Sequence, residues 1–168
     1  MTKAYTLEEL NGMNEDDFVG SIGWVFEHSP WVAKRAHASA PFASLDALHD
    51  CMTAAVEQAA PEQQLELLRA HPDLAGRLKM TDSSVREQQG AGLTELTAEE
   101  FSQFTFWNSA YTERFGFPFI LAVRGHNKHS ILAAMKERHR NNHEEERETA
   151  LREVARIARF RLEDTVDG

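Results

Sequence analysis

The sequence predicts an all-α fold, a single compact domain over residues 1–168 made of about eight helices with one buried extended connection. Three observations predict it. Helix start signals recur along the chain, the apolar residues between them return at three- and four-residue intervals, and only FGFPFILAV at 115–123 reads as extended.

The first start is Thr6 with Glu9, spaced so that the hydroxyl and the carboxylate three residues on satisfy two otherwise orphaned N–H groups. Phe18, Ile22, Val25 and Phe26 form the next apolar stripe. Ser29 followed by Pro30 marks a further start, because proline suits the first helical turn. Leu45, Leu48, Met52, Ala55 and Ala59 define another face, and Pro61 opens a helix with Leu65 and Leu68 on one side. Ser84 with Glu87 and Thr97 with Glu100 repeat the capping spacing. Phe101, Phe104, Tyr111 and Phe115 then form one stripe, which Gly116 closes. Pro118 prevents a smooth helical continuation, so 115–123 is expected to be a buried, irregular connection whose main-chain groups need partners, a ligand among the candidates. HEEERE at 143–148 reads as the solvated acidic start of the last helix.

Composition narrows the function. With 168 residues and 42% hydrophobic content the chain suffices for one real core. A formal net charge of -9 argues against nucleic-acid and anionic-membrane partners, which would be repelled at long range. The single cysteine, Cys51, allows no internal disulfide, fits a reducing compartment and reads as a small core filler. MTKAYTLEEL lacks the apolar core of a secretion signal, the run FPFILAV is too short to span a membrane, and TVDG is not a peroxisomal address. A soluble, cytoplasmic protein is expected.

Three features carry potential chemistry. The helix in PEQQLELLRA stops at a histidine, a proline and an aspartate, and Pro72 disfavours helical geometry at the residue before it, leaving His71 at a helix end. An imidazole titrates near neutrality, so His71 is a candidate proton carrier, although a histidine near a helix C-terminus is also favoured by the dipole alone. SVREQ at 84–88 opens a helix whose first N–H groups can hold an anion, or is only a capping box. In the last helix Ala150, Leu151, Val154, Ile157, Ala158 and Leu162 share a face, and Arg161 falls inside that stripe while Arg152, Arg156 and Arg159 fall opposite. An inward guanidinium needs a carboxylate, supplied by a structural ion pair or an anionic ligand. Glu87 and Asp73 are candidate partners for Arg161 or orienting groups for His71.

Other chemistries find less support. His139 and His143 lie four apart and His126 and His129 three apart, but Asn141 and Asn142 favour a turn within the first pair and no thiolate is near, so no metal is expected. Glycine-rich phosphate loops, a Gly-x-Ser-x-Gly elbow and a recognisable Cys/His dyad are absent from the sequence.

GWVFEHSPWVA, AHPDLAG at 70–76, SVREQQGAGL at 84–93, NSAYTERFGFPFILAVRG at 108–125 and the final RIARFRL, in that order, resemble the OHCU decarboxylase family. The resemblance spans nearly the whole chain. It implies an all-helical, cofactor-free enzyme of urate catabolism that decarboxylates 2-oxo-4-hydroxy-4-carboxy-5-ureidoimidazoline (OHCU) to (S)-allantoin, and a homodimer. It further implies that His71 is the catalytic proton donor with Glu87 close by, and that Pro72 lines the pocket. Substrate contacts are implied from Ser84, Val85, Arg86, Glu87 and Gln88 and from the main chain of Phe119, Ile120, Leu121, Ala122 and Val123, with Arg161 as the clamp on the substrate carboxylate. The competing class is a non-catalytic helical module binding a ureido or purine-breakdown compound.

Overall fold

The computed structural model describes residues 3–72 and 97–168. Among them the chain forms eight α-helices and divides into two compact units, Met1–Ala70 with Ala155–Gly168, and His71–Val154. The expected all-α class with one buried connection is what forms.

In the first unit, α1 (Leu7–Asn11) starts on the Thr6–Glu9 capping box read from the sequence, with both reciprocal bonds at 3.1 Å. Helix α2 (Glu15–Ile22) is capped by the Asn14 side chain and continues into a tighter turn at Gly23–Val25. Helix α3 (Trp31–His37) begins immediately after Pro30, as the Ser-Pro signal indicates, although the Ser29 side chain does not cap it. Helices α4 (Leu45–Glu57), capped by Ser44, and α5 (Pro61–Ala70) follow. Leu10, Phe18, Ile22, Leu48, Met52, Leu68, Ala158 and Leu162 are fully buried and form the core of this unit. Burying each of these side chains other than Ala158 contributes on the order of 1.5–3 kcal/mol of transfer free energy.

Two contacts bring the end of the chain into that core. His49 on α4 meets the Ala155 carbonyl at 2.8 Å, and β1 (Tyr5–Thr6) pairs in parallel with β2 (Val166–Asp167), Tyr5 opposite Val166 and Thr6 opposite Asp167. This pairing was not expected: two-residue strands are too short to show a period. Cys51, expected as a core filler, is half-buried, its thiol 3.8 Å from the Ala36 carbonyl.

In the second unit, α6 (Ala98–Phe115) starts on the Thr97–Glu100 capping box and ends where Gly116 adopts φ 78°, a left-handed conformation that glycine reaches without steric cost. Helix α7 (Lys128–Arg138) is capped by Asn127 with Ser130, and α8 (His143–Thr165) carries its first half in this unit. Tyr111 packs edge-on against Phe117 and Phe119, and Phe119 through Val123 are buried in an irregular path, as FPFILAV implied.

Two expectations need correction. Phe101 is 42% exposed although it shares the stripe of Phe104, because periodicity tells which side of a helix is apolar and not whether each turn is covered. Glu144 and Glu145 are exposed as the acidic start of α8 should be, but Glu146 is fully buried. Counting back along the inward stripe from Ala150 by four residues reaches Glu146, so the helical period overrides the polarity of the run.

Glu100 also makes an ion pair with Lys128 at 2.9 Å. The Thr97 backbone N–H, then Lys128, hold its carboxyl at about 2 against an ordinary 4.5. A depressed carboxylate stabilises the fold fully above its unfolded pKa and loses that contribution as pH falls through the folded one. Glu100→Gln, which keeps an acceptor for Thr97, should therefore lower Tm relative to the parent above about pH 4.5, with the difference closing toward pH 2. Thermal melts of both proteins across that range check it; a difference independent of pH would show that the charge contributes nothing.

Candidate active site

His71 follows directly on the last residue of α5, Ala70, and both His71 and Pro72 are half-buried. The helix stop read from the sequence is therefore where it was expected. Ser84, Val85, Arg86, Glu87 and Gln88 lie outside the described residues, as does Asp73. His71, Pro72 and residues 119–123 belong to the second unit and Arg161 to the first.

Arg161 is only 2% exposed, as its place within the apolar stripe of α8 requires. Its Nη2 lies 3.1 Å from Oε1 of Glu27, which is likewise 2% exposed on its side chain, and Nη1 approaches the Val25 carbonyl at 3.5 Å. The Trp24 ring covers the guanidinium, 5.9 Å from its centroid. Glu27 is a partner that the sequence reading missed. It stands between the buried Phe26 and the buried Ser29 in GWVFEHSP, and a carboxylate within such a stretch was the available signal. His28, next to it, has φ 57°, a left-handed conformation uncommon for a residue with a Cβ, in the turn that carries Glu27 inward.

Around residues 119–123, main-chain partners that the sequence left open are supplied by two buried side chains. The Ile120 carbonyl accepts from Nη1 of Arg138 at 2.6 Å, and the Ala122 N–H donates to Oε1 of Glu153 at 3.1 Å. Arg138 is held in turn by Glu146, whose Oε1 accepts from its Nε at 2.6 Å and from the Tyr111 hydroxyl at 2.6 Å. Asn141 donates to the other oxygen of Glu146 at 3.0 Å. Burial pushes the Tyr111 phenol well above its ordinary range, so it remains protonated and a donor throughout neutral pH. A buried carboxylate and guanidinium paired and hydrogen-bonded in this way avoid the cost of an isolated buried charge. Arg138, Glu146 and Glu153 were not singled out in the sequence, although Glu146 and Glu153 both continue the inward stripe of α8.

Three of these histidines make other contacts. His139 and His143 both pack edge-on against Phe115, and His126 Nδ1 lies 3.0 Å from the Ser130 hydroxyl. Among the described residues no group of three His, Cys, Asp or Glu is arranged to hold a metal, and no helix is long and apolar enough to cross a membrane.

Residues 11–163 match the family model described as OHCU decarboxylase. The chain belongs to the OHCU decarboxylase family. It is 48% identical over 94% of its length, and 94% of the relative's, to the 2-oxo-4-hydroxy-4-carboxy-5-ureidoimidazoline decarboxylase of Haloferax volcanii. It is also 46% identical over 96% of its length to the uric acid degradation bifunctional protein PucL of Bacillus subtilis, where it corresponds to 33% of that longer chain. Among solved structures it superposes on (S)-allantoin synthase with a TM-score of 0.78 and 34% identity, covering 96% of this chain and 54% of that one. Membership agrees with the resemblance carried by HPDL, SVREQ, FPFILAV and RIARFRL.

Proposed function

We propose that this OHCU decarboxylase family member converts OHCU to (S)-allantoin and carbon dioxide in urate degradation, with His71 delivering the proton to one face of the reacting carbon. The observation that carries this reading is 48% identity, sustained over 94% of both chains, with a protein named for that decarboxylation. The bond to the carboxylate breaks, its electron pair moves into the adjoining conjugated C=N of the ring, and carbon dioxide leaves. A proton from His71 then completes the product. Because the substrate carries its own electron sink, the protein needs only to anchor the carboxylate, accommodate charge in the ring and direct the proton.

In this proposal Arg161 anchors the substrate carboxylate through its planar fork, and Glu87 orients His71 and bonds the substrate. N–H groups of Ser84, Val85, Arg86, Glu87 and Gln88 and main-chain groups of Phe119 to Val123 hold the ring and ureido groups, and Pro72 lines the pocket. Stereochemistry follows from delivery by a single imidazole. The chain is proposed to act as one catalytic domain, as a homodimer and in the cytoplasm.

The test is to mix purified protein with freshly generated OHCU, whose uncatalysed decay gives racemic allantoin, and to follow circular dichroism. Rapid appearance of optically active (S)-allantoin is expected. Racemic product at the background rate would overturn the reading and leave a helical binding module in its place.

A further inference from the structure

Two successive peptide groups in the buried connection are each held by a side chain. Arg138 takes the Ile120 carbonyl at 2.6 Å and Glu153 takes the Ala122 N–H at 3.1 Å, and both side chains belong to residues only 8% exposed. These peptides are trans. In a planar trans peptide the N–H and C=O point in opposite directions, so fixing the Ile120 carbonyl turns the Leu121 N–H away from Arg138. By the same geometry, fixing the Ala122 N–H turns the Leu121 carbonyl away from Glu153.

Among the described residues no hydrogen-bond partner meets the Leu121 N–H or its carbonyl, although Leu121 is only 9% exposed. Buried main-chain groups are paired in the great majority of cases, so this donor and this acceptor are available to a ligand's polar groups. The support behind them has little freedom. Arg138 is bonded to Glu146, Glu146 to Tyr111 and Asn141, and the Arg138 guanidinium lies over the Phe119 ring at 4.5 Å.

We infer that Arg138 and Glu153 are positioning residues that pin the peptide groups on either side of Leu121, presenting its N–H and carbonyl as a two-point site for an N–H–C=O edge of the substrate's ring or ureido group. This rests on the proposed contact of residues 119–123 with substrate. It adds the side chains that aim that contact, which neither membership in the family nor the motif supplies.

Glu153→Met removes the acceptor for Ala122, whereas Glu153→Gln keeps one. With OHCU as substrate, the methionine variant should raise KM about tenfold with kcat within about twofold of the parent, and the glutamine variant should restore KM. A purely structural Glu153 would lower the folded fraction without moving the KM of what remains. In the unaltered protein, hydrogen exchange followed by NMR should show the Ala122 amide protected throughout and the Leu121 amide gaining protection when (S)-allantoin is added. A folded Glu153→Met with unchanged KM, or a Leu121 amide indifferent to (S)-allantoin, overturns the inference; if the methionine variant does not fold, the exchange measurement decides. Absence of OHCU turnover by the unaltered protein would instead sink the proposed function, while the Leu121 exchange response would still judge the two-point site.

Discussion

Replacing His71 with alanine should reduce turnover of OHCU by about a hundred- to ten-thousandfold, the range that a positioned general acid contributes, while leaving the melting temperature close to that of the parent. The second half of that expectation follows from where the residue sits. Helix α5 ends at Ala70, so His71 lies beyond the helical run, and its half-buried ring is not among the core residues of either unit. Truncating such a side chain removes a functional group without opening a core cavity. Steady-state kinetics and a thermal melt of the same preparation check both halves. A folded His71→Ala protein that still produced (S)-allantoin near the parent rate would remove His71 from the mechanism.

The second large effect concerns Arg161. With Arg161 and Glu27 both about 2% exposed and 3.1 Å apart, Arg161→Met takes a paired guanidinium away from a buried carboxylate and should cost about 3–5 kcal/mol of stability. Glu27→Leu should cost a similar amount for the converse reason. Replacing both together removes the two charges at once, and most of the lost stability should return. Activity separates the two roles open for this arginine. If Arg161 anchors the substrate carboxylate, the double variant recovers stability and retains a strongly raised KM. A double variant with parental KM would show that the pair is structural only. Denaturant unfolding for the cycle and KM for each folded member supply the measurements.

The same arginine shows how far a sequence can be read. Its inward orientation followed from helical periodicity, since a residue at a given angle on a long helix cannot leave the face it occupies. The identity of its partner did not follow. Glu87 and Asp73, the carboxylates near the recognised motifs, lie outside the described residues; among those described the structure supplies Glu27, 134 positions earlier in the chain. Nothing local to Glu27 announces Arg161; only the surrounding Val25, Phe26 and Ser29, all buried, hint that a carboxylate there must be paired.

A related lesson comes from α8. The acidic run at its start was read by composition, and Glu144 and Glu145 obey that reading. Glu146 obeys the period instead and ends fully buried against Arg138 and Tyr111. For the connection at 115–123, Gly116 and Pro118 are enough to forbid a helix, and its apolar residues are enough to bury it. The donors and acceptors that settle its path, Arg138 and Glu153, lie on helices further along the chain.

By itself, then, the sequence determined most of the described helices, the capping boxes at Thr6 and Thr97, the stop at Ala70 before His71, the inward face of Arg161 and the family. These depend on interactions within a few residues, or on motifs written along the chain. Only the tertiary structure decided that Glu27 meets Arg161, that Glu146 and Arg138 are buried together, and that Tyr5–Thr6 pairs with Val166–Asp167. The physical reason is the same in each case: a buried charge or an open strand edge requires a partner, and which distant residue provides it is fixed by packing rather than by local pattern.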